Sequence, residues 1–164
     1  MLQSFSAWLE TTSLSSIIQN AGWVIPLGQI IHILCLSIVL SSVVLLDFRL
    51  LGVGSTRVSI AGMARRFTPW LWSALVMMAV SGSVLIIGEP KRDLLNFVFW
   101  TKMALLACAI AITLSFQYSI NRNAEFWDEN RASRIPARLL ALISLGLWLA
   151  IAVCGRLIAY FMTS

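Results

Sequence analysis

Few side chains in this sequence can do chemistry, and His32, the only histidine, comes first. It lies inside WVIPLGQIIHILCLSIVLSSVVLL, Trp23 to Leu46, a run with no formal charge at neutral pH. At ~1.5 Å per residue that run crosses a hydrocarbon core of ~30 Å. A polar ring at such depth needs a partner. Three roles are open to it. It can be a neutral ring hydrogen-bonded across helices, to Gln29, Ser81 or Ser83. It can be an axial ligand of b-type haem, with Met77, Met78 or Met103 as sixth ligand or the iron left open; a lone histidine excludes bis-His ligation within one chain. It can form an HxxC pair with Cys35 on one helical face and, with Met78, hold copper as Cu(I).

Two cations share its depth. Lys102 and Arg156 fall inside apolar runs, ~8 Å and ~9 Å from the same side of the membrane as His32 at ~13 Å. Ser81-Gly82-Ser83 adds a small polar patch at ~10 Å, where another backbone or a flat ligand can approach closely. The candidate cofactor site is therefore His32, Gln29, Ser81, Gly82, Lys102 and Arg156, and the candidate metal set is His32, Cys35 and Met78. No intramembrane acid balances the two cations, and Glu89 is the nearest candidate. Such a patch attracts an anion: a haem propionate, a lipid phosphate or a carboxylate substrate. The plainer reading is that both long side chains snorkel to the headgroups.

The elements that position these residues follow from composition. Of 164 residues 59% are hydrophobic and only 12% charged, about half the charge of a soluble domain. The pattern predicts an all-α integral membrane four-helix bundle in one domain, with helices near 23–46, 69–88, 97–119 and 137–162. Thr68 and Asn96 suit N-caps, and Pro69 suits a first helical turn. Apolar residues at helical spacing in residues 4–20 (Phe5, Trp8, Leu9; Leu14, Ile17, Ile18) predict a short interfacial helix, with a frayed polar tail as the alternative. A cleavable signal peptide is not expected, because no Lys or Arg precedes Arg49. Trp70 and Trp72, then Tyr160 and Phe161, suit aromatic belts.

The net charge of +5 does not mark a nucleic-acid partner, because the arginines flank apolar segments as topology signals do. Arg49, Arg57, Arg65 and Arg66 lie after the first helix; Arg122, Arg131, Arg134 and Arg138 lie between the third and fourth. The positive-inside rule places loops 47–68 and 120–137 in the cytoplasm and both termini in the periplasm of a bacterial inner membrane. Cys35, Cys108 and Cys154 form no CxxC, so no redox pair or covalent haem is signalled. Neither a catalytic triad, a phosphate-binding glycine loop nor paired carboxylates occur.

Larger patterns narrow the choice. His32 to Leu36, Asp47-Phe48-Arg49-Leu50-Leu51-Gly52, Arg66 to Trp70, Phe99-Trp100-Thr101-Lys102 and Gly155-Arg156 to Tyr160 together resemble a family of small uncharacterised bacterial four-helix membrane proteins. More distantly, the order of elements is similar to the copper-resistance D-type membrane domain and to the membrane protoporphyrinogen oxidase of the HemJ type. Both have a His in the first helix and a Lys after an aromatic residue near the start of a later one. In the HemJ type these residues are functional and haem is bound, so the resemblance implies roles for His32 and Lys102. This chain lacks the additional histidines of those groups. The functions in view are a haem- or porphyrin-binding redox protein, a copper or proton conduit through His32 and Cys35, and a cofactor-free structural protein. In the last, small residues (Gly28, Ser81, Gly82, Ser83, Gly146, Gly155) serve packing or a homo-oligomer.

Overall fold

A computed structural model describes residues 1–53, 59–123 and 134–158. Its described residues form helices and no strand: α1 (Leu2–Glu10), α2 (Ser13–Asn20), α3 (Val24–Leu51), α4 (Ile60–Gly88), α5 (Pro90–Leu94), α6 (Phe97–Arg122) and α7 (Arg134–Leu157). Four of these, α3, α4, α6 and α7, are long and apolar enough to cross a membrane. Their outward faces carry Ile30, Ile33, Leu34, Val76, Leu114 and Leu149, all exposed. An apolar surface of that extent is compatible with a multi-pass membrane protein in contact with lipid.

The helix ends show which local signals operate. The first spanning helix runs on to Leu51 rather than stopping near 46. Asp47 and Arg49 do not end it; Gly52 does, in the left-handed conformation at φ 84°. The amides of Gly52 and Val53 bond back to Arg49 and Phe48 carbonyls, a Schellman closure. The second helix begins a full nine residues before Pro69. Ser59, not Thr68, is its N-cap, accepting from the Gly62 amide at 2.9 Å. Pro69 has no N–H for the Arg65 carbonyl, yet the helix continues. Ile60, Ala61 and Ala64 are buried against Leu46, Leu50, Phe116 and Ala141, and that packing holds the extra turns. Asn96 caps α6 as expected, its Oδ1 accepting from the Val98 amide at 2.9 Å. Helix α7 starts at Arg134, with Pro136 in its first turn. Arg57, Arg131, Tyr160 and Phe161 lie outside the described residues.

The N-terminal segment is two helices, not one. Thr11 and Thr12 divide it: Thr12 leaves the helix at ψ 145° and its hydroxyl accepts from the Ser15 amide. These helices pack with one serine each turned inward. Ser6 and Ser15 are buried, while Leu2, Phe5, Trp8, Leu14 and Ile17 point outward. Ser15 Oγ donates to the Ile87 carbonyl at 2.7 Å and Gln19 Nε2 to Gly88 at 3.0 Å, so α2 is fastened to the end of α4. Helix α1 rests on α5, with a surface ion pair between Lys91 and Glu10.

Within the bundle α3 packs along α4 and α7, and α7 packs along α6, whereas α4 and α6 barely meet. A hydrogen bond from Trp72 Nε1 to Gln117 Oε1 at 3.0 Å bridges that open side. The central core is Cys35, Val39, Val43, Leu71, Leu75, Met78, Trp148 and Ile151. Gly28, Gly82 and Gly155 face Leu85, His32 and Lys102 of neighbouring helices, while Gly146 faces open space.

Candidate functional site

His32 occupies the face of α3 that meets α4. Its Nδ1 lies 3.0 Å from Ser81 Oγ. Ser81 in turn donates to the Met78 carbonyl at 3.1 Å. A serine hydroxyl has one proton. With that proton on Met78, the contact with His32 is satisfied when Nδ1–H donates to Ser81. The ring is then held in one tautomer, and the lone pair sits on Nε2. Gly82 makes the approach feasible: a Cβ there would lie 3.3 Å from His32 Cε1, tighter than normal packing. The gap left by the small residues of α4 is thus filled by the imidazole itself.

Lys102 enters from α6, half-buried beside Gly155 of α7, where an added Cβ would sit 3.7 Å from its Nζ. It lies within electrostatic reach of His32 on one side and of Asp93 and Cys154 on the other. Asp93 is the acid that sequence reasoning missed. It belongs to α5, the short turn between α4 and α6, which folds back over the start of α6. Burial pushes its carboxyl above the usual carboxylate range; Arg92 draws it down, Glu89 raises it, and Lys102 draws it down. Glu89 itself pairs with Arg92. Nine residues separate Asp93 from Lys102, a spacing without helical meaning until the α5 bend is known.

The structure therefore brings together His32, Ser81, Gly82 and Lys102. The other candidates differ in their surroundings. Gln29 and Arg156 are exposed. Cys35 is buried in the central core, and Met78 contributes its carbonyl to the Ser81 link while its side chain packs in that core. Among the described residues no group of three His, Cys, Asp or Glu is arranged to hold a metal. Two cavities lie away from His32. One of about 30 Å³ adjoins Asp47, and one of about 220 Å³ lies between α4 and α6 near Pro69, Gln117 and Asn121.

What the cluster can do follows from its parts. A neutral imidazole that donates from Nδ1 keeps its lone pair on Nε2, which can accept a proton, accept a hydrogen bond or bind a metal. A lysine and a carboxylate in series from the loop end provide charges through which a proton could be relayed.

No curated protein and no solved structure matches this chain. The likenesses to copper-resistance and HemJ-type domains rest on residue pattern alone. One family does match, over residues 5–161, nearly the entire length. With its four long helices and its His32 cluster inside that match, the chain belongs to DUF6644, a family of unknown function.

Proposed function

We propose that this is a multi-pass protein of a bacterial inner membrane that handles protons, with His32 as the acceptor and Lys102 and Asp93 linking it to the loop end. One observation carries the reading: the Nδ1–Ser81–Met78 link, which, when Nδ1–H is the donor, keeps the ring's lone pair on Nε2 inside the bundle. The end of the bundle with α1, α2 and α5 faces the periplasm in this reading. The opposite end carries Arg49, Arg65, Arg66, Arg122 and Arg138, which the positive-inside rule keeps in the cytoplasm. Between His32 and that end the core of Val39, Val43, Leu71 and Trp148 is apolar and packed. Proton transfer across the whole membrane would need that core to open.

Haem and copper rank behind the proton. The same open Nε2 is what an axial ligand needs, with Ser81 in the supporting role. The residues supply a ligand atom, but the small-residue gap expected to admit a flat ligand holds the ring. Cys35 and Met78 side chains are committed to core packing.

The test is proton uptake by vesicles containing the purified protein and an internal pH indicator. Wild type is expected to conduct above empty vesicles, His32→Ala to fall to their level, and Lys102→Met to fall several-fold. Conduction indistinguishable from empty vesicles defeats the proposal. A visible spectrum of the same preparation separates the second reading: a Soret band that His32→Ala removes would replace the proton with haem.

A further inference from the structure

Asp47 stands apart from the His32 cluster. It lies near the other end of α3, and only 4% of it is exposed. Its Oδ2 is buried without a hydrogen-bond partner. Ser144 of α7, also buried, lines the same cavity as the carboxyl. The cavity beside it, about 30 Å³, has room for water and is lined by all four long helices. Thr113 of α6 also lines it, and its hydroxyl proton goes to the Ala109 carbonyl at 2.8 Å, so its oxygen is left as an acceptor. The remaining wall is apolar, with Leu71 from α4, Phe116 from α6 and Leu140 from α7. Among the described residues no Lys, Arg or His lines the cavity from any of the four helices. A carboxylate so placed is costly unless a positive charge joins it.

We propose that Asp47, Ser144 and Thr113 form a binding site for one water-sized monovalent cation, sodium or hydronium, with Asp47 Oδ2 as the anionic ligand. Three oxygen-bearing side chains line a space with room for a water-sized occupant. A divalent ion does not suit it, since a single carboxylate would leave a net positive charge among apolar walls. When the occupant is hydronium, its proton passes to Oδ2 and a water remains; the reverse step returns hydronium. The site lies outside the His32 cluster and does not rest on the role proposed there.

The test uses the full chain in detergent and reads thermal unfolding of wild type and Asp47→Asn. Sodium chloride is exchanged for choline chloride at fixed ionic strength, and pH is varied separately. A sodium site raises the melting temperature with the logarithm of sodium concentration in wild type and not in Asp47→Asn. A hydronium site leaves sodium without effect. It gives instead a pH dependence, and an infrared band of a protonated carboxyl, that Asp47→Asn loses. Ser144→Ala is expected to weaken the sodium response or displace the infrared band. The proposal is overturned if wild type and Asp47→Asn respond alike to sodium and to pH. Where Asp47→Asn fails to fold, an unchanged response and band in Ser144→Ala overturn it.

Discussion

At the scale of the residue, the molecule turns on how polar groups inside an apolar bundle are satisfied. His32 is the plainest case. Removing the Ser81 hydroxyl takes away the group that Nδ1 meets at 3.0 Å. Ser81→Ala is expected to cost about 1–3 kcal/mol of stability, measured by unfolding in detergent, and Ser81→Thr much less. Equal stability of the two variants would mean that the link contributes nothing. The His32–Ser81 pairing was legible in the sequence, because both residues fall at similar depth on facing helices and a serine is an obvious partner. Asp93 and Asp47 were not. Asp93 meets Lys102 through a bend that no periodicity announces. Asp47 reads as the charged boundary of an apolar run, yet it continues the helical stripe of Cys35, Val39 and Val43 into the core. Arg156, read either as part of an anionic site or as a snorkelling side chain, is exposed, in keeping with the second reading.

At the scale of the element, apolar length located the four spanning helices but misjudged their ends. Hydropathy reports where lipid begins, whereas a helix ends where its backbone groups find other partners, as at Gly52 and Ser59. Pro69 misled for the same reason, since its preference for a first turn is weaker than the packing of Ile60, Ala61 and Ala64. The N-terminal pair shows how small residues fix an element in place. A Cβ on Gly88 would meet Ile18 Cγ2 at 3.1 Å and Ile25 Cδ1 at 3.2 Å. Gly88→Leu therefore has to push α2 away from α4 and strain the bonds of Ser15 and Gln19. Its expected effect is about 1–3 kcal/mol lost and faster proteolytic cutting within residues 1–22. Cutting at the wild-type rate would show that α2 is not fastened through this contact.

At the scale of the whole molecule, stability depends on the apolar core and on pH at the loop end. Because burial raises the Asp93 carboxyl above its unfolded value, the folded state holds more protons than the unfolded state between those two values. The Asp93 contribution to stability then falls as pH rises through that window and is at its lowest above it. Asp93→Asn is expected to flatten this part of the profile, measured as the unfolding midpoint of both proteins across acidic to neutral pH. Parallel profiles would remove Asp93 from the account.

The serine-lined pair α1 and α2 has a consequence for the order in which this molecule is made. Its anchoring partners, the Ile87 and Gly88 carbonyls, belong to the far end of the second spanning helix. Until the ribosome has produced them, Ser15 and Gln19 have nothing to dock against, and the N-terminal pair has only its Phe5, Trp8 and Ile17 side to offer the bilayer. Its final seat is therefore open to it only once the chain has been made past Gly88, a little beyond its midpoint.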